Sequence, residues 1–336
     1  MPHRIVAFLI IFSTSAAVAQ QKSVMKAVVA HEYGAPEVLK FENAPRPEPK
    51  EDEALVRVIA SGVNPADPLT LSGKYAEEWG THLPLIPGYE IAGIVEKTGA
   101  KVTKLKPGDA VYGYPTFGGG WADYVAVKQW EVAPKPKSLS FVEAAAVPMG
   151  ALTAWQALVD AAQLHSGQTI LIHGGSGGVG SFAVQIAKAR GAHVIATAST
   201  ANQDLLKQLG ADVAIDYTKA KFEDVAKDVD AVLDPIGRDT LARSYAVVRK
   251  GGIIMSLVAQ PDPAEFEKRG IRGTSIWVRP DTKDLADIAQ LIDTGKIKPI
   301  VTQVLPLSEA IAAEQQAETH HTRGKVVLRI ADEPKG

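Results

Sequence analysis

The sequence predicts a mixed α/β protein in which a β-rich region adjoins a doubly wound parallel sheet. Three observations carry that expectation. Short apolar segments punctuated by Gly and Pro turns fill the chain from residue 25 to about residue 147, the texture of a compact β domain. From Gly167 the pattern changes to regular strand–helix alternation, as a parallel sheet with crossover helices requires. A glycine-dense turn, Gly174-Gly-Ser-Gly-Gly-Val-Gly180, stands at the first strand–helix junction of that alternation. With 336 residues, 46% of them hydrophobic, the chain is long enough for two packed domains.

The elements follow in order. Segments 26–30, 39–41 and 53–61 read as strands, and Ala54-Leu-Val-Arg-Val-Ile-Ala60 alternates as a half-buried strand should. Residues 43–52, rich in Pro and Glu, read as an extended loop. Further strands are expected at 91–97, 109–112 and 124–127, with Lys106-Pro-Gly-Asp109 as a turn between them. The Ala-rich stretch 144–161 is helical by composition but interrupted by Pro148. Strands at 169–172, 193–197, 213–215, 231–233 and 253–257 then alternate with helices at 180–190, 202–209, 221–227 and 239–249. An amphipathic helix at 283–294 follows Ile276-Trp-Val278, and 300–305 and 325–330 return to β character.

The glycine turn has a physical reading. The buried strand 169–172 breaks into it, and a helix with Phe182, Ala183, Ile186 and Ala187 on one face leaves it. Glycines let the backbone approach a pyrophosphate, and the helix start supplies free N–H groups and a positive dipole end. The spacing is G-x-x-G-x-x-G, through Gly174, Gly177 and Gly180, and a second strand follows Gly191 as a βαβ unit requires. Gly174, Ser176, Gly177, Gly178, Val179 and Gly180 are therefore the candidate phosphate-binding residues.

Composition narrows the alternatives. A net charge of −2, with no basic run interleaved with aromatics, gives no footprint for nucleic acid. The absence of cysteine excludes disulfides, thiolate catalysis and thiolate-bound metal. At the start of the chain, residues 5–12 are unbroken apolar and Ala17-Val-Ala19 precedes Gln20, which reads as a secretory signal peptide over 1–19, too short to span a bilayer. Export to the periplasm or beyond is thus expected. The alternative is a cytoplasmic protein beginning at Met25, whose Met-Lys-Ala-Val-Val would open the first strand.

Six segments together resemble the medium-chain dehydrogenase/reductase superfamily, in its zinc-free quinone oxidoreductase branch, over essentially all of residues 25–330. They are Ser61-Gly-Val-Asn-Pro-Ala-Asp67, Pro87-Gly-Tyr-Glu-Ile-Ala-Gly-Ile-Val95, Lys106-Pro-Gly-Asp109, the glycine loop, Leu209-Gly-Ala-Asp212 and Arg323-Gly-Lys-Val-Val-Leu328. The resemblance implies a GroES-like domain over 25–147, completed by 281–336, and a Rossmann domain over 148–280. It also implies pairing of two copies through an edge strand of the Rossmann sheet, here 274–278, giving a homodimer.

Zinc members of the superfamily place Cys and His where this chain has Asn64 and Tyr89. A carboxamide and a phenol replace thiolate and imidazole poorly, the structural-zinc cysteines are absent, and Glu90 alone cannot hold the ion. His320-His321 reads as a polar turn, so no metal is expected. Without a Lewis acid, hydride transfer from reduced nicotinamide to an electron-poor acceptor, a quinone or an activated enone or enal, is the chemistry left. At the end of the second parallel strand an acid would bind the ribose 2′-OH of NAD. The chain reads Ala198-Ser-Thr-Ala-Asn202 there, so Ser199 and Asn202 are candidates for a 2′-phosphate and NADPH is the expected cofactor. The resemblance adds Tyr217 to that site, and Leu257 and Val258, ending a strand, would back the nicotinamide. It also puts Asn64 and Asp67 beside the nicotinamide and Tyr75 on the cleft wall as the candidate catalytic set, with Tyr89, Trp79 and Phe117 as flat apolar surface. A low-turnover NADPH-binding sensor or structural protein is the rival reading.

Overall fold

The computed structural model describes residues 23–319 and 322–334. Its first strands, β1 (Val24–Ala30) and β2 (Leu39–Pro45), form an antiparallel pair in which Val24 faces Pro45. Pairing along the whole of β1 carries β2 past the expected 39–41 into what reads from sequence as loop. β3 (Glu53–Gly62), β4 (Ile91–Thr98), β5 (Ala110–Gly113), β6 (Tyr124–Lys128) and β7 (Val132–Pro134) follow.

The next six strands are β8 (Thr169–Ile172), β9 (His193–Ala198), β10 (Val213–Asp216), β11 (Val229–Asp234), β12 (Val248–Ser256) and β13 (Arg272–Ser275). They pair in the order β10-β9-β8-β11-β12-β13, every neighbour parallel. That is the doubly wound arrangement, and its order reverses between β8 and β11, the switch point at whose carboxyl strand ends such sheets bind ligands. The fold class is the one the sequence predicts.

Two elements differ from expectation in this sheet. The helix expected over 239–249 ends at Ser244, because Val248 already pairs with Val229 in β12. The edge strand lies at Arg272–Ser275 rather than 274–278. β12 stops at Ser256, the Ile276 N–H makes the last bond to it (2.9 Å), and nothing remains for Trp277 to pair with in that ladder.

β14 (Val301–Pro306) and β15 (Lys325–Arg329) bring the end of the chain back to the first sheet, whose order is β14-β15-β3-β4-β5-β7 with β6 on β3. β3 runs antiparallel to both β15 and β4: Gly62 faces Val327 and Ser61 faces Ile91. Residues leaving β3 therefore lie beside those entering β4 and β15. Asn64, Glu90 and Lys325, far apart in sequence, are gathered at one end of the sheet by strand direction alone.

The two sheets share one apolar core, which runs from Ile59, Ala92 and Tyr112 to Ile170 and Phe182. The Ala-rich stretch between them breaks at Pro148 into helices Phe141–Ala145 and Pro148–Trp155. Ser140 and Glu143 close a reciprocal capping box at the start of the first. Every residue of the second is buried, and only small or apolar side chains fit there.

Candidate active site

The glycine loop is built from backbone. Gly174 takes φ +58°, a region glycine enters without steric cost. At Gly180, which opens helix Gly180–Ala189, a Cβ would stand 2.1 Å from the Gly174 carbonyl oxygen, so only glycine allows the helix to start so close to β8. Gly177 is different: a Cβ there would meet only the Gly174 oxygen, at 3.3 Å. The Ser181 N–H donates to the Gly177 carbonyl (3.0 Å), and the amides before it are the ones a helix start leaves open. Gly177, where a Cβ would meet a single backbone atom, stands at a helix start at the switch point of a doubly wound sheet, a place that suits a dinucleotide pyrophosphate. Ser176 is buried in the same turn, and its carbonyl accepts from the Gly324 N–H at 2.8 Å.

At the end of β9, Asn202 Nδ2 donates to Ser199 Oγ (3.2 Å) and the exposed Tyr217 is held by its N–H to the Ala198 carbonyl (3.3 Å). Asp216, an acid that the sequence reading passed over, ends β10 beside them. Thr200 Oγ1 and Thr218 Oγ1 each donate to it at 2.6 Å and Lys219 lies 3.4 Å away; the two hydroxyls are the main cause of a pKa held down at about 2. Its lone pairs are committed to Thr200 and to its own turn. Leu257 is half-buried at the end of β12, and Val258 is exposed.

The second group is made of buried polar side chains. Asn64 and Asp67 are brought together: the Asn64 N–H donates to Asp67 Oδ2 (2.8 Å) and the Gly88 N–H to Oδ1 (2.9 Å). Asp67 has no exposed surface, and burial pushes its carboxyl up to about 7. Asn64 Oδ1 accepts from the Lys325 ammonium, while Nδ2 is buried and has no partner. Lys325 also donates to the Val63 carbonyl (3.0 Å) and forms an ion pair with Glu90 Oε1 at 2.5 Å. Glu90 Oε2 accepts from the Met149 N–H (2.9 Å). Lys325 is the residue sequence reasoning missed; a cation opening an otherwise apolar strand, Lys325-Val-Val-Leu, was the available signal.

Tyr89 belongs to this group as well. Thr70 Oγ1 donates to the Ala66 carbonyl (2.8 Å), so in its 2.6 Å contact with Tyr89 the phenol is the donor. Burial raises the Tyr89 pKa well above the ordinary phenol value. Tyr75 stands in a different group. Its ring stacks on Trp79 (centroids 5.0 Å apart) and Trp79 meets the exposed Trp277 edge-on at 6.5 Å, an aromatic rim that the sequence did not join. Phe117 is exposed near it, 4.0 Å from where a Cβ on Gly80 would lie.

The donor set does not suit a metal ion. Asn64 Oδ1 and Glu90 Oε1 already face an ammonium and Tyr89 is bonded to Thr70, and among the described residues no three His, Asp or Glu side chains gather as a metal site. His320 and His321 lie outside the described residues.

Comparison with known proteins agrees with this architecture. An alcohol dehydrogenase GroES-like domain matches residues 50–137, and a zinc-binding dehydrogenase domain matches 209–328. The chain belongs to the medium-chain dehydrogenase/reductase family, in its quinone oxidoreductase-like branch, a family of NAD(P)-dependent oxidoreductases. It is 39% identical over 319 residues to a 2-methylene-furan-3-one reductase of Solanum lycopersicum, covering 91% of this chain and 79% of that one. It is 38% identical to the chloroplastic NADPH-dependent alkenal/one oxidoreductase of Arabidopsis thaliana, with 90% and 79% coverage. The quinone oxidoreductase structure from Coxiella burnetii superposes with a TM-score of 0.85 at 33% identity, over 92% of this chain and all of that one.

These relatives correct the expectation of export. Those whose names carry a location are organellar: the chloroplastic enzyme above, and a mitochondrial NAD(P)H oxidoreductase of Danio rerio at 32% identity covering 96% and 95% of the two chains. Residues 1–19, on which the expectation rested, lie outside the described residues.

Proposed function

We propose that this chain is an NADPH-dependent, zinc-independent reductase acting on a quinone or an activated enone or enal. The observation that carries this reading is the unpartnered Nδ2 of Asn64, a buried donor lying in a cluster with no metal-ligand set. A buried donor without a partner costs about 1–3 kcal/mol, a deficit relieved when an acceptor oxygen enters. Relatives named for NADPH and for alkenal, enone or quinone substrates support it.

Gly174, Ser176, Gly177, Gly178, Val179 and Gly180 would hold the pyrophosphate, Ser199, Asn202 and Tyr217 the 2′-phosphate, and Leu257 and Val258 the nicotinamide face. The bound cofactor would supply the hydride. Asn64 Nδ2 then donates to the acceptor carbonyl oxygen as negative charge develops on it. Asp67 fixes the backbone of that turn through the Asn64 and Gly88 amides. The aromatic rim of Tyr75, Trp79 and Trp277 excludes water and offers flat surface to an unsaturated acceptor; on this reading Tyr75 packs and does not move a proton. The terminal strand β13 carries backbone able to pair with a second copy, as the homodimer expectation requires, and sedimentation measures that directly.

The test is steady NADPH oxidation with 1,4-benzoquinone and with trans-2-hexenal, together with binding titrations of NADPH and NADH. Turnover with either acceptor and tighter binding of NADPH, by about tenfold or roughly 1.4 kcal/mol, are expected. Tight binding with no turnover would favour the sensor reading.

A further inference from the structure

We infer that Lys325 is a positioning residue of the acceptor site: its ammonium fixes which end of the Asn64 carboxamide is left to meet an acceptor. This deepens the reductase reading and rests on it.

An ammonium has three donors and no acceptor, whereas a carboxamide has an acceptor end and a donor end of nearly equal shape. Lys325 faces three oxygens: the Val63 carbonyl at 3.0 Å, Asn64 Oδ1, and Glu90 Oε1 at 2.5 Å. Beside a group that can only donate, the Asn64 side chain must turn its oxygen inward, and Nδ2 is then directed away from Lys325. That is the end that is buried without a partner. With the ammonium removed, the donor that holds Oδ1 inward is gone while the Val63 carbonyl it served remains, and the flipped orientation offers an oxygen where developing negative charge needs a donor.

Lys325 is itself held. The Met149 N–H anchors Glu90 at the start of helix Pro148–Trp155, and Gly62 leaves room for the carboxylate: a Cβ there would stand 2.0 Å from Glu90 Oε1. The lysine stem passes over the phosphate loop, 3.1 Å from where a Cβ on Gly178 would lie, and the neighbouring Gly324 N–H donates to the Ser176 carbonyl at 2.8 Å. The residue that orients the acceptor donor thus packs on the loop that would hold the cofactor. Docking of the dinucleotide and presentation of Asn64 share one side chain.

Replacing the lysine alone would strand a buried carboxylate, so the informative variant is Lys325→Met/Glu90→Gln, which keeps the stem against Gly178. With the full chain, NADPH and 1,4-benzoquinone or trans-2-hexenal, kcat is expected to fall about ten- to a hundredfold while the NADPH dissociation constant is unchanged. Adding Asn64→Ala should bring the loss to that of Asn64→Ala alone, because both changes act through one amide. Undiminished kcat, or losses that multiply, would show that Lys325 serves only the fold. If the double variant does not fold, Lys325→Leu/Glu90→Gln, which also removes both charges and the donor to Asn64, enters the same cycle and is read the same way. If the wild-type chain reduces neither acceptor, the reductase reading fails, and the orientation is then read without substrate. A hydrogen bond to Oδ1 slows rotation about the Asn64 Cγ–Nδ2 bond, so exchange between the two Nδ2 protons, followed by NMR, should be faster in the variant. Equal exchange rates would overturn the assignment.

Discussion

The two halves of the candidate site are built on opposite principles. The cofactor half is contiguous backbone: seven residues in a row, glycines wherever a side chain would collide, and amide dipoles that do not titrate. The acceptor half is made of buried side chains drawn from strands that meet only after folding, with Asn64, Asp67, Glu90 and Lys325 all but sealed from solvent. A site of backbone amides is insensitive to pH and to most substitutions that spare the glycines. A site of buried polar groups depends on the partner of every atom, because each orphaned donor or charge costs free energy in proportion to its burial. Substitutions on the two sides should therefore fail in different ways.

The largest effect is expected on the cofactor side. Gly177→Asp should fold, since a Cβ there meets only the Gly174 oxygen at 3.3 Å, yet it sets a carboxylate against the pyrophosphate. A like-charge contact of about 4 Å at the surface of a protein is worth roughly 4 kcal/mol, so NADPH affinity should fall about a thousandfold in a fluorescence titration. Unchanged affinity in a folded variant would remove the loop from the cofactor site. On the acceptor side, Asn64→Ala should leave NADPH affinity alone and lower kcat by about 10²-fold, the usual loss for one donor to a developing oxyanion. Equal damage to both constants would mean that the two halves are not separable. Gly62→Ala is third: a Cβ 2.0 Å from Glu90 Oε1 and 2.7 Å from the Ala145 carbonyl should cost stability by about 1–3 kcal/mol in denaturant unfolding, with activity lost in parallel.

The same contrast explains what the sequence disclosed. The glycine loop was legible because its chemistry is local: strand, turn and helix are adjacent, and the 3.6-residue pattern after Gly180 announces the helix. Asn64 and Asp67 are reached through resemblance, and Asn64 and Tyr89 also as departures from a metal-binding pattern in which Glu90 is retained. Lys325 was not reached as a site residue, although Arg323-Gly-Lys was noted, because its meaning lies in β15 running antiparallel to β3. Tyr75 joins the candidate catalytic residues through the same resemblance, and its stacking on Trp79 is not legible in the sequence. Asp216 is not legible because the commitment of its carboxylate to the Thr200 and Thr218 hydroxyls is a matter of loop geometry. The edge strand slipped by two residues because its end is set by where β12 stops, a fact held by a different segment.

A pH-dependent difference, rather than a loss at one pH, tests whether the acceptor half extends one layer deeper. Glu314, on helix Ala310–Glu318, is wholly buried, and neither carboxylate oxygen has a partner. Burial, with the Asp67 charge next in importance, pushes its carboxyl up to about 10 from the ordinary 4.5. The folded chain therefore keeps a proton there that the unfolded chain releases once pH rises past about 4.5. Its contribution is complete below that value and declines until about pH 10, because over that interval the folded state binds more protons than the unfolded one. Gln cannot titrate, so Glu314→Gln should match the wild type near pH 4.5 and gain on it steadily as pH rises. Asp67 has the same sign up to about 7, and His173, held down to about 4 mainly by burial, has the opposite sign between 6.5 and 4. Both groups remain in the variant, so to first order they drop out of the difference. Urea midpoints of the two proteins at about pH 5 and about pH 9 measure the gap. A gap that does not widen would mean that Glu314 finds a partner in solution and is charged like any surface acid; the buried polar layer would then stop at Asp67.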